Sequence, residues 1–430
     1  MLRRIDIRGD AVDLASALPN SLSSGAPAEV LESVRSIISD VRERGDAALL
    51  EYTERFDGVS LGSVSVSPDL VKAAWDATSP ELQGALSFAA DQIRGYHEAQ
   101  VSDVEPAEWG AHGISVAEMI RPVARAGLYV PGGRGAYPST VLMTAIPAAV
   151  AGVDQIVLCV PPAADGSLPQ ATLAAAALCE IDEIHSVGGA QAIAAMAYGT
   201  ESIKAVDVIV GPGNQYVSIA KGEVSGDVGI DSMAGPSELV VIADESTPAE
   251  FIALDLMAQA EHGPDGTAVV ISWREDVLDA VNSALSRLVK DAPRRKDIES
   301  NFANGGGSVL VRDWEQAIEV SNFIAPEHLE LCVANPEELL ESVNCAGAVF
   351  CGPWAPAVVG DYISGANHVL PTGRSARFAS ALRVDTFRKH IHVVRVERSG
   401  LERVAPYVAA LTEAEGLFAH GEAVARRVTQ

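Results

Sequence analysis

The sequence predicts an α/β protein with two parallel-sheet halves, and three observations carry that expectation. Apolar residues make up 48% of the chain while aromatics reach only 5%, a balance that suits Val- and Ile-rich inner strands wrapped by Ala-rich helices. Two series of short apolar runs alternate with helical periodicity, as in repeated β-α units. The 430 residues exceed the size at which one hydrophobic core keeps growing, so about two or three domains are expected.

At the N-terminus, Arg3 and Arg4 lead into a polar stretch rather than an apolar leader, so no export signal is expected. From 27 to 100, residues such as Val30, Leu31, Val34, Ile37, Ile38 and Val41 recur at three and four, the period of a helical approach to the first sheet. The first strand series is Gly127-Leu-Tyr-Val130, Gln155-Ile-Val-Leu-Cys-Val160, Glu183-Ile-His-Ser-Val187 and Val206-Asp-Val-Ile-Val210. After a break at Gly235-Pro-Ser237 comes the second: Glu238-Leu-Val-Val-Ile-Ala243, Thr267-Ala-Val-Val-Ile-Ser272, Ser308-Val-Leu-Val311 and Gly347-Ala-Val-Phe350. Residues 360–378 are rich in Gly, Ser and Asn with little periodicity, and so long a loop inside a compact protein is usually functional. The last fifty residues turn helical again around Tyr407, Val408, Leu411 and Leu417. The expected architecture is two incomplete Rossmann-like parallel-sheet domains plus helical N- and C-terminal extensions. Its parts are a terminal segment over 1–24, a larger α/β domain from 25–125 and 238–381, an inserted α/β domain over 126–237, and a helical tail over 382–430.

Thirty-one basic against 58 acidic residues give a net charge of −27, spread along the chain, so its field repels nucleic acid and anionic lipid. A main role on DNA or RNA is excluded. Cys159, Cys179, Cys332, Cys345 and Cys351 form no C-x-x-C pair and are odd in number, which reads as reduced core thiols in a cytoplasmic protein. No run of about 18 apolar residues predicts a membrane span.

Four turn-rich segments hold side chains suited to metal and proton chemistry: Gln259-Ala-Glu-His262-Gly, Ala325-Pro-Glu327-His328-Leu, the loop from Gly360-Asp361 through Asn367-His368, and Glu415-Gly-Leu-Phe-Ala-His420. Thr247-Pro-Ala-Glu250 reads as a capping box with proline at the first helical position, and Gly263-Pro264 as the stop. Gln259 and His262 then share the last turn and one face, able to hold a metal together and equally able to be a solvated helix end. The absence of H-E-x-x-H removes a zincin reading. Asp361 ends an apolar run at a loop, the address of a ligand-binding carboxylate or of a turn cap. His368, alone in its loop, reads as exposed.

Glu327 and His328 place two proton acceptors at a strand mouth, although such neighbours also occur in ordinary turns. Glu415 and His420 would point roughly 140° apart on an unbroken helix, unless Gly416 breaks it. His97, His112, His185, His390 and His392 show no useful spacing to carboxylates and read as structural. Val130-Pro-Gly-Gly133, Val187-Gly-Gly-Ala-Gln191 and Gly211-Pro-Gly-Asn214 each follow a strand-like run, as nucleotide-binding turns do, without a G-x-G-x-x-G fingerprint. A dinucleotide site here would be atypical, with Tyr129, Gln191 and Asn214 at three strand mouths.

These segments, together with Ala234-Gly-Pro-Ser-Glu238 and Ser364-Gly-Ala-Asn-His-Val-Leu-Pro-Thr372, resemble the histidinol dehydrogenase family in the same order, from roughly residue 25 to the C-terminus. The resemblance implies oxidation of L-histidinol to L-histidine through a bound L-histidinaldehyde, with reduction of two NAD. It implies one zinc per subunit held by Gln259, His262, Asp361 and His420, a donor set that also suits manganese or cobalt. It implies Glu327 and His328 as the acid–base pair, and contacts to substrate from Ser237, Gln259, His262, His328, Asp361, His368, Glu415 and His420. Tyr129, Gln191 and Asn214 match NAD-contacting positions. The family's tail crosses to a partner, which implies a homodimer with shared active sites.

Other readings are an NAD-dependent dehydrogenase of another small alcohol in the same fold, and a zinc hydrolase, against which the three candidate nucleotide contacts weigh. A non-catalytic binding protein would have no evident use for the adjacent Glu327 and His328.

Overall fold

The computed structural model describes all residues except 10–12, 19–27, 103–106, 133–134, 234 and 430, and the side chain of Ser102 is likewise left out. Residues 10–12 and 19–24 of the expected 1–24 segment, and Gly133 of the first glycine turn, therefore lie outside the described residues. The described strands are β1 (Arg3–Asp6), β2 (Glu108–Ala111), β3 (Ile114–Pro122), β4 (Arg125–Tyr129), β5 (Gln155–Val160), β6 (Glu183–Ser186), β7 (Val208–Val210), β8 (Gly229–Ile230), β9 (Glu238–Ala243), β10 (Thr267–Ser272), β11 (Gly306–Leu310), β12 (His328–Cys332), β13 (Ala348–Cys351) and β14 (Arg388–Val396).

Two parallel sheets organise the chain, as the apolar runs predict. The larger has the order β1-β11-β10-β9-β12-β13 and the smaller β6-β5-β4-β7-β8. Their inner strands are buried on both faces, which is why they read as continuous Val/Ile runs. Along β9 the faces alternate: Leu239, Val241 and Ala243 pack with the helix Ala249–Ala260, while Val240 and Ile242 pack with the helix Trp314–Ile324 on the other side. The smaller sheet is sandwiched in the same way between two apolar clusters.

A third, antiparallel sheet, β14-β3-β2, was not expected. Residues 388–396 fall in the stretch read as helical tail, yet they form a nine-residue strand along β3, and the tail becomes helical only at Arg398–Ala414 and Phe418–Thr429. No residue of β14 is buried, so its sequence lacks the in-out alternation that betrays a half-buried strand. The N-terminus differs too, since β1 is an edge strand of the larger sheet. Among the described residues no helix is long and apolar enough to cross a membrane.

Candidate active site

Helices that follow strands of the larger sheet run back to its amino edge, and there the candidate residues meet. The helix Ala249–Ala260 begins one residue later than expected, with Pro248 as its cap and no side-chain capping bond. It returns Gln259 in its last turn, and His262 lies in the turn just beyond rather than on the helix. Asp361 sits near the end of a six-residue helix, Ala357–Tyr362, not at the start of a loop. His328 opens β12, in register with Leu239 of β9. Gln259, His262, His328 and Asp361 line one cavity of about 200 Å³. The carbonyl end of the glutamine-bearing helix favours a cation there.

His328 is held from two sides. Its Nδ1 donates to the carbonyl of Glu238 at 3.2 Å, and Nε2, on the other side of the ring, faces Asp361 Oδ1 at 3.7 Å. Burial pulls the imidazole down, but the Glu327 charge and the hydrogen bond to Asp361 outweigh it and raise its pKa to about 9. Burial raises Asp361, yet the contact with His328 wins and its carboxyl lies below the ordinary value. The Phe350 ring stacks on His328 at 6.0 Å, and a Cβ on Gly360 would stand 2.5 Å from that ring. Glycine before Asp361 is thus a steric requirement.

Glu327 Oε2 accepts from Ser237 Oγ at 2.6 Å and from the Glu238 amide at 3.1 Å, and it lies 3.6 Å from His328 Nδ1. Ser237 Oγ also stands 3.4 Å from the side-chain amide of Gln259. His368 is half-buried rather than exposed: Nδ1 donates to the Asp361 carbonyl at 2.9 Å, and Nε2 pairs with Thr140 Oγ1 at 3.3 Å. Burial lowers its pKa, with Asp361 opposing. Asn367 fixes the same loop by donating to the Met143 carbonyl at 2.6 Å. Glu415 and His420 are not brought here. Both are exposed at the joint of the two tail helices, where Gly416 breaks the helix with φ of +70°.

At the carboxyl edge of the smaller sheet, a cavity of about 1140 Å³ is lined by Tyr129, Gln191 and Asn214 together with Gly132, Pro161 and Gly189. Tyr129 closes β4, and its phenol accepts from the Gly189 amide at 3.0 Å. Burial raises the Tyr129 pKa further above its ordinary value. Gln191 lies in the first turn of the helix Gly189–Tyr198, its Oε1 buried without a partner among the described residues. Asn214 caps the helix Gln215–Val224, accepting from the Val217 amide at 3.1 Å. Gly211 has φ of +121°, and a Cβ there would meet the Tyr129 carbonyl at 2.1 Å. Its carbonyl accepts from buried Lys221 at 3.0 Å, and its amide donates to Asp231 at 2.7 Å.

The family model for histidinol dehydrogenase matches residues 22–428. The chain belongs to the histidinol dehydrogenase family. It is 48% identical to a histidinol dehydrogenase of Parasynechococcus marenigrum, over 91% of this chain and 90% of that one. It is 44% identical to that of Methanocaldococcus jannaschii, over 93% of each. The crystal structure of histidinol dehydrogenase from Elizabethkingia anophelis superposes with a TM-score of 0.93 at 35% identity, covering 100% of this chain and 98% of that one.

Beside the cavity that this histidinol dehydrogenase family member forms, the structure adds groups that the sequence reading passed over. Asp255 and Glu330 line it with a carboxyl–carboxyl hydrogen bond. Burial pushes both carboxyls above their ordinary values. A signal was present: Asp255 is one helical turn before Gln259, and Glu330 is one strand repeat after His328. His185 and His390, read as unpaired, stand 3.1 Å from Glu183 and 2.9 Å from Glu118. Strand pleat brings the first pair to one face, and the antiparallel sheet brings the second together.

Proposed function

We propose that the chain oxidises L-histidinol to L-histidine in two NAD-dependent steps at the amino-edge cavity of the larger sheet. The observation that carries this is the Glu327–His328 pair, anchored by Ser237 and the Glu238 backbone, whose imidazole lines one cavity with Gln259, His262 and Asp361. Family membership supports the substrate and the dinucleotide.

The residues fit a bound metal. Gln259 lines the cavity with His262 and Asp361, and its Nε2 is buried without a hydrogen-bond partner among the described residues, so the amide is free to turn over and offer its oxygen. Among those residues no three His, Cys, Asp or Glu side chains cluster tightly enough to hold a metal, in keeping with a set that includes an amide and a ligand on the tail. We assign zinc to Gln259, His262, Asp361 and His420, the last from a partner subunit, where it would supply positive charge that orients the substrate's imidazole and amine. NAD would accept one hydride in each step, and Tyr129, Gln191 and Asn214 are the residues we assign to it.

In its neutral form His328 takes the alcohol proton at Nε2 as the C–H bond breaks, yielding the aldehyde. Glu327 then accepts a proton from the water that adds to the aldehyde, and the hydrate loses its second hydride to give the acid. Two carbon–hydrogen bonds break, one water enters and four electrons leave. No thiol nucleophile is required; Cys332 lies on the sheet below the cavity, where burial pushes its thiol well above the ordinary value. Ser237, His368 and Glu415 complete the substrate's surroundings, and we place the reaction in the cytoplasm.

The test is NADH formed per L-histidinol consumed, with and without a chelator. Two NADH per substrate, lost on chelation and restored by zinc, is the expected result. No NADH from metal-replete protein would move the substrate to another small alcohol.

A further inference from the structure

Three elements deliver the cavity's working side chains, and one buried carboxyl pair touches all three. Asp255 lies on the helix Ala249–Ala260, a turn before Gln259. Glu330 lies on β12, two residues after His328 and on the same face, with 1% of its surface exposed. Glu330 Oε1 accepts from the amide of Ala357 at 2.7 Å, the first residue of the short helix that carries Asp361 one turn later. Asp255 and Glu330 are hydrogen-bonded to each other. Two carboxyl groups can make that bond only if one of them holds a proton, since a carboxylate is an acceptor alone.

We propose that Asp255 and Glu330 are positioning residues, a proton-sharing clamp that fixes the glutamine-bearing helix, β12 and the Asp361 helix in the one arrangement where Gln259, His328 and Asp361 converge. The inference rests on the metal site proposed above. Nothing in the acid–base reaction uses either carboxyl, and burying two acids under a cavity has a desolvation cost that a plain apolar contact would avoid. What the pair supplies is directional. Glu330 takes an amide from one helix and a carboxyl proton from or to another, so neither helix end can slide along the strand without breaking a buried hydrogen bond. Removing such outer partners of a metal site commonly weakens metal binding by about 10–100-fold.

The clamp predicts a pattern across variants of the full-length protein, read by cobalt(II) titration of the metal-free form and by the visible spectrum of the bound cobalt. Glu330→Gln keeps the geometry, since its amide oxygen accepts from Ala357 and its NH₂ donates to the Asp255 carboxylate. It should bind cobalt with the spectrum and affinity of the parent. Glu330→Leu and Asp255→Ala each break the clamp, and should weaken cobalt by about 10–100-fold with an altered spectrum. Asp255 is only half-buried and on a helix, so its alanine variant decides the matter if Glu330→Leu does not fold. Parent-like cobalt binding by the truncations, or a Glu330→Gln as damaged as Glu330→Leu, would overturn the clamp while leaving the metal site standing. Parent protein that binds no cobalt, or binds it equally well after His262→Ala, would overturn the metal site itself and the clamp with it.

Discussion

A carboxyl group buried beside another carboxylate has to give up its charge, and Glu238 stands in that position next to Glu327. It is 3% exposed, its Oε2 has no hydrogen-bond partner among the described residues, and in the parallel register its neighbour on β12 is the base-bearing turn. Burial first, then the Glu327 charge, push its pKa from the ordinary 4.5 to about 8. The native state therefore holds a proton that the unfolded chain has released anywhere between those values. Its contribution to stability is whole below about pH 4.5 and is lost as pH rises towards about 8, at a slope of about 1.4 kcal/mol per pH unit. Glu238→Gln carries no such titration. The difference in unfolding free energy between the variant and the parent should thus move in the variant's favour as denaturant titrations go from about pH 5 to about pH 8. A difference that stays constant across that range would mean that Glu238 is charged in the folded protein.

At the scale of single elements, Asn214 shows how one residue satisfies two readings at once. The turn Gly211-Pro-Gly-Asn214 resembles a nucleotide-binding turn, and the same asparagine caps the helix Gln215–Val224 through the Val217 amide. Serine caps helices about as well as asparagine but lacks the amide NH₂ that remains free to face a ligand. Asn214→Ser should hold thermal stability within about 0.5 kcal/mol, and NAD affinity measured by calorimetry should fall about tenfold, the loss of roughly one good hydrogen bond. Unchanged NAD affinity would leave Asn214 as a cap only. The same two-sidedness decided what was legible in the sequence. The parallel strands stood out because burial on both faces leaves Val/Ile runs, and β5, β9 and β10 fall on the residues the runs mark. β14 did not, because Arg388, His390, His392 and Arg395 interrupt a strand that has no buried face. At the cavity, Gln259, His328 and Asp361 were legible as motif residues. That Asp361 reaches the amino edge on a helix, and that Asp255 and Glu330 clamp it, depends on contacts between elements far apart in sequence, which local pattern does not encode.

The whole molecule leaves its two last candidate residues stranded. Glu415 and His420 lie on a tail whose helices, Arg398–Ala414 and Phe418–Thr429, pack on each other and present no fully buried residue apart from Gly400. Val394, Val396, Tyr407, Leu411 and Phe418 are exposed along this arm, an apolar display that a second surface would cover. An arm of that kind, bearing an imidazole and a carboxylate suited to a cavity that in its own subunit holds three of the four residues proposed for the metal, fits the proposed exchange between two copies with twofold symmetry. If His420 works only in the partner's cavity, a subunit lacking His420 still offers an intact Glu327–His328 pair, and a subunit lacking His328 still offers an intact tail. Homodimers of His420→Ala and of His328→Ala should each be inactive. Mixed and allowed to exchange subunits, half of the dimers become mixed, and each mixed dimer holds one cavity with both intact parts and one with neither. Activity should then return to about a quarter of the parent's per subunit, because statistical pairing restores one cavity in half of the dimers. No recovery after exchange has been verified by mass would mean that each tail folds back onto its own cavity, and the shared site would have to be abandoned.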